Sequence, residues 1–256
     1  HAHHLKSAAY SGGTAGTMKR LMDRLLDILL YPASLYEKLN DKRGSLVAGI
    51  VLIGAIDLLL PDVSGFIKLH FADKPSNTVF INVILTVFIA VALGIIDVAF
   101  ISIPLFDFFK FLKKKEVKLY AAIYRNAQDS GQENIPFELP QIKTEDLEHK
   151  ASSIKVMKAY IMSHFLCIPV SLILDYTVLR DVTAAGSPET MQYLGLAVFM
   201  LIFVWSAAIL TRGVNVLFRF NPMFRMLTFI VVFSWSFLFG MVFDMQIINW
   251  LLKLFR

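Results

Sequence analysis

Five long apolar stretches, at 44–60, 79–109, 156–179, 191–217 and 226–252, restrict this chain more than any other feature. Lipid offers the backbone no hydrogen-bond partner, so an apolar run of about 20 residues satisfies its N–H and C=O groups only as a helix. The chain is therefore predicted to be all-α and polytopic, with five transmembrane helices. Only 18% of its residues are charged, against about 25% in an ordinary soluble domain. That much apolar area exceeds what a soluble core absorbs. No separate catalytic domain of about 100–150 residues fits outside the spans.

Residues 1–17 join histidines to a Ser-, Gly-, Ala- and Thr-rich stretch ahead of Met18, the pattern of an expression tag and linker, and are set apart from the fold. Residues 18–43 form an amphipathic cytoplasmic region. Residues 44–256 form the transmembrane domain, with a cytoplasmic loop at 113–155. Orientation follows from the basic residues. An inside N-terminus places nineteen of them in the cytoplasm, including Arg24, Lys42, Lys110, Arg212, Arg219 and Arg225, against five outside: Lys68, Lys74, Arg180, Lys253 and Arg256. The positive-inside rule thus predicts N-inside, C-outside.

In the amphipathic region Leu21, Met22, Leu25, Ile28 and Leu29 recur at helical spacing, with Lys19, Arg20, Asp23, Arg24 and Asp27 opposite. This predicts an interfacial helix, or one packed on the cytoplasmic end of the bundle. Pro32 interrupts it, and Leu35, Tyr36 and Leu39 supply a second short apolar face. The second apolar stretch is longer than a bilayer needs, so it tilts, kinks or projects, with Pro104 the natural kink. Beyond it, Lys113, Lys114 and Lys115 follow a Phe-rich edge and are candidate contacts for anionic lipid headgroups; the alternative is a plain positive-inside stop signal. Val117 to Ala127 is predicted to be a short separate helix, before Gly131, Pro136 and Pro140 enforce irregular chain.

Among the acidic residues of the apolar stretches, Asp57, Asp97, Asp175 and Asp244 stand out. A carboxylate at membrane depth must face protein or water, be paired, or be protonated, which makes these the candidate ion or proton site. Asp97 lies nearest mid-span. Asp57, Asp175 and Asp244 fall toward the outer end, where interfacial water, or Arg180 beside Asp175, suffices. His164 and Cys167 share a helix face, but two ligands do not make a metal site, and core packing is the expectation. Ser234, Trp235, Ser236 and Gly240 read as helix-contact residues.

No phosphate loop, zinc motif or nucleophile turn is present, so no enzyme and no cofactor are expected. The lysines cluster at span ends rather than on a reading helix, so nucleic acid is not an expected partner. Membrane lipids, and a membrane-protein or soluble cytoplasmic partner, are. The approach Tyr31-Pro32-Ala33-Ser34-Leu35-Tyr36-Glu37-Lys38-Leu39, together with the five-span layout, resembles the YIP family of Rab/Ypt-interacting membrane proteins and their bacterial relatives. That resemblance implies a non-enzymatic adaptor of a bacterial-type inner membrane that assists export or trafficking machinery. The residues alone leave a rival: a small cation- or proton-coupled transporter or channel with Asp97 at its centre.

Overall fold

The computed structural model describes residues 11–58, 79–129, 151–174, 189–242 and 246. Every element among them is helical. In chain order they are α1 (Ser11–Leu30), α2 (Ala33–Glu37), α3 (Arg43–Asp57), α4 (Val79–Asp129), α5 (Ser153–Leu174), α6 (Glu189–Phe218) and α7 (Pro222–Val242). Among the described residues three segments are long and apolar enough to cross a membrane, within Val83–Ile123, Tyr193–Phe218 and Pro222–Gly240. They mark the chain as a membrane protein.

The long helices close into a ring in which α3 packs on α4, α4 on α7, α7 on α6, α6 on α5 and α5 back on α3, while α4 also meets α5. Leu93, Val98, Leu105 and Phe109 of α4 fill the interior with Val156 and Ala159 of α5, Ile209 and Val214 of α6, and Val232 of α7. Outward faces carry Phe88, Phe100, Leu196, Leu201 and Leu238, all exposed. Water would penalise that arrangement by about 25 cal/mol per Å²; hydrocarbon does not.

Three features depart from the sequence-based expectations. First, α1 begins at Ser11, so part of the stretch set apart as a linker is helical. Second, α4 continues unbroken for 51 residues, through Pro104 and the lysine run. The predicted short helix at Val117–Ala127 is its C-terminal part. Proline removes only the bond to the carbonyl four residues earlier, and no glycine or second proline follows before Gly131, so nothing local stops the helix. Third, nothing among the described residues lies within 4 Å of a Cβ built on Gly240, so this glycine makes no close helix contact there.

The approach to the bundle is an elbow. Tyr31 adopts φ 61° and Pro32 is extended, which turns the chain between α1 and α2. Tyr36 is then fully buried, its ring against the Cα face of Gly213 and its hydroxyl 3.1 Å from the carbonyl oxygens of both Leu30 and Ile209. Burial pushes this phenol well above its ordinary range, so it stays a hydrogen-bond donor. Trp205 Nε1 donates to the Leu29 carbonyl at 2.8 Å, and Arg212 pairs with Asp27. These contacts pack the C-terminal end of α1 on α6 while Leu21, Met22, Leu25 and Ile28 remain exposed. The C-terminal end of α1 is thus packed on the bundle and its apolar face is left outward.

Candidate functional site

Asp97 is 6% exposed and sits where α4 meets α5. A carboxylate so placed requires a partner, and α5 supplies Tyr160, whose hydroxyl lies 3.0 and 2.9 Å from the two carboxylate oxygens. One phenolic proton is thereby offered to both. On the following turn of α5, Ser163 Oγ donates to the Tyr160 carbonyl at 2.7 Å. His164 Nδ1 is 3.1 Å from the same oxygen, a contact that requires the proton on Nδ1. The rings of Tyr160 and His164 meet edge to face at 4.4 Å. Ser206 of α6 reaches Ser163 at 3.5 Å, and the Cys167 thiol lies within hydrogen-bonding reach of Ser206. The result is a polar thread through three helices at the bundle centre.

The four candidate aspartates divide accordingly. Asp97 anchors the thread. Asp57, at the end of α3, lies close enough to Tyr160 to act on it electrostatically. Asp175 and Asp244 lie outside the described residues, so the expected outer acidic cluster is not described. Among the described residues no three His, Cys, Asp or Glu side chains gather closely enough to hold a metal ion.

The lysine run requires a correction. Lys113 is not turned to lipid headgroups: it is 1% exposed, with Nζ 2.6 Å from Glu116 Oε2, 2.8 Å from the Arg219 carbonyl and 5.5 Å above the Phe220 ring. Glu116 is buried too, and its second oxygen accepts the Asn221 N–H at 2.8 Å. The pair clamps the α6–α7 turn onto α4, and aromatic contacts of Phe109 with Phe218 and Phe220 seal it. Lys114 and Lys115 remain exposed, Lys115 over the Phe111 ring.

Among the cavities that open on the bundle, two are lined by described residues that bear on these contacts. One of about 600 Å³ is bordered by Leu39, Asn40, Gly49, Lys158 and Phe165. Lys158 there donates to the Asn40 carbonyl at 2.6 Å and so ties α5 to the start of α3. The other, about 750 Å³, lies between α1, α2, α6 and α7 and is lined by Arg212, Arg219 and Arg225. Neither is lined by Asp97. The two hydrogen bonds between Tyr160 and Asp97 join α5 to α4. Sequence reasoning found Asp97 and placed Tyr36 on an apolar face, but missed Tyr160 and Glu116. The available signal was a polar-tipped aromatic or an acid inside an apolar or basic run, each of which needs a partner once buried.

No protein-family profile, curated protein or solved structure matches the chain.

Proposed function

We propose that this chain is a five-span, non-enzymatic adaptor of a bacterial-type inner membrane, threaded N-inside and C-outside, with the layout of the YIP family. It scaffolds or regulates other membrane machinery by presenting α1 and the C-terminal half of α4 to partners. The observation that carries this reading is the length of α4. At 1.5 Å per residue its 51 residues reach about 75 Å, whereas the hydrocarbon core is about 30 Å thick. Roughly half the helix must therefore lie beyond the bilayer. On that half Leu119 and Ile123 are exposed one turn apart, flanked by exposed Lys118 and Arg125. An apolar pair on a basic helix is a docking edge for an acidic amphipathic partner.

Native purification followed by mass spectrometry tests the reading. A stoichiometric companion is expected. It should be lost from a Leu119→Glu, Ile123→Glu variant and from a deletion of residues 128–150, with the unfolding midpoint of the bundle unchanged. Retention of the companion by both variants would contradict the assignment. Reconstituted protein is expected to carry no ion flux; a flux that Asp97→Asn abolishes would favour the transporter instead.

A further inference from the structure

The cavity of about 750 Å³ between α1, α2, α6 and α7 is within the range of small-molecule sites, about 300–1,000 Å³. Its lining has two chemistries. Leu26, Leu30 and Phe229 form an apolar side, while Arg219 and Arg225 form a cationic one.

Arg212, on the same wall, is engaged by Asp27. Arg219 and Arg225 have no carboxylate partner among the described residues; Arg225 Nε is held by the Phe220 carbonyl at 3.2 Å, which fixes its guanidinium beside the cavity. Arg219 occupies φ 50° just past the end of α6, where Phe220 N–H closes back on the Asn215 carbonyl. Glycine is the ordinary occupant of that position.

A second observation points to an occupant. Thr211 is 6% exposed and lines the cavity, yet its hydroxyl has no hydrogen-bond partner among the described residues; nor does the buried Oδ1 of Asn215, one turn on. Buried polar atoms of this kind are rare in folded proteins and call for a ligand or ordered water. Thr211 needs an acceptor or donor and Asn215 Oδ1 needs a donor. The two arginines need an anion, and the apolar side needs hydrocarbon.

We propose that this cavity holds the headgroup of one anionic, hydroxyl-bearing glycerophospholipid of the cytoplasmic leaflet. Its phosphate lies against Arg219, Arg225 and the Thr211 hydroxyl. A headgroup hydroxyl donates to Asn215 Oδ1, and an acyl chain runs along Leu30 and Phe229. The two arginines without a carboxylate partner among the described residues, against the single carboxylate of Glu37 on the lining, favour a lipid with net negative charge over a zwitterionic one. The leaflet rests on the N-inside reading, but the binding does not.

The full chain, delipidated in detergent, is titrated with short-chain phosphatidylglycerol, with phosphatidylcholine of the same chain length, and with inorganic phosphate, following the unfolding midpoint and the bound lipid by native mass spectrometry. Saturable, one-to-one stabilisation by phosphatidylglycerol alone is expected. Arg219→Gln with Arg225→Gln, both exposed and so compatible with folding, should weaken it by about tenfold or more. Lys114→Gln with Lys115→Gln should leave it unchanged. Equal stabilisation by phosphatidylcholine, or an unaltered affinity in the arginine variant, overturns the site. Saturation by inorganic phosphate alone overturns the lipid and leaves a soluble-anion site. None of these failures touches partner co-purification, which stands or falls separately.

Discussion

Gly54→Leu and Gly94→Leu are each expected to destabilise the folded bundle by about 3 kcal/mol or more. A Cβ built on Gly54 would run into the Ala90 carbonyl oxygen, and one on Gly94 into that of Ile50; each would also lie 2.9 Å from the other's backbone nitrogen. The obstacle is helix backbone, which no rotamer change relieves. The α3–α4 interface, the most extensive in the bundle, exists because these two glycines let the helices touch. Overpacking of an ordinary core costs about 1–3 kcal/mol. Backbone contact puts these substitutions at or above the upper end, a large share of a total stability of about 5–15 kcal/mol. Yield and thermal unfolding in detergent measure the effect. Gly240→Ala, with open space around it among the described residues, should be neutral or stabilising by up to about 1 kcal/mol. A Gly54→Leu protein with an unchanged midpoint would mean that α3 and α4 do not approach as described.

The second large effect is expected at the clamp under the α6–α7 turn. Glu116→Ala leaves the buried Lys113 ammonium without its counter-charge, and Lys113→Ala leaves the buried carboxylate alone. Removing one partner of a buried pair costs about 3–5 kcal/mol. Lys113→Met combined with Glu116→Leu should be milder than either single change. Two charges then disappear together, leaving the Arg219 carbonyl and the Asn221 N–H to account for about 1–3 kcal/mol each. Exchanging the two residues should not restore stability, because the carbonyl needs a donor and the N–H an acceptor. Denaturant or thermal unfolding of the single, double and exchanged variants decides this. A double variant worse than both singles would contradict the clamp.

Apolar patterning made the helices legible because lipid-facing and core-facing positions are both apolar, and only helices satisfy their own backbone. The five stretches coincide with α3 to α7 to within a few residues wherever these are described, apart from the C-terminal end of α4. That end was misjudged for a local reason. Lys113 to Lys115 look like the signal that ends a span, but a helix need not end where the membrane does. Nor does charge alone say which lysine faces lipid. Lys113 is buried because a turn 106 positions away brings a carbonyl to it.

The centre of the bundle shows the same limit. Asp97 was conspicuous as a carboxylate in an apolar run, yet its partner Tyr160 lies 63 positions along the chain and looked like any aromatic in a span. Arg219 was legible as a basic residue near a turn. Its left-handed backbone, and the cavity it helps to line, depend on how α6 meets α7 and α1, which periodicity does not encode.

The threading of the bundle, on which every cytoplasmic role depends, is tested most directly by single-cysteine labelling in a Cys167→Ala background. Ile123→Cys on the α4 extension and Arg256→Cys at the C-terminus are treated with a membrane-impermeant maleimide in intact cells and in inverted membrane vesicles. The account expects Ile123→Cys to react only in inverted vesicles and Arg256→Cys only in intact cells. Reaction of both from the same side, or of Ile123→Cys from outside, would contradict it.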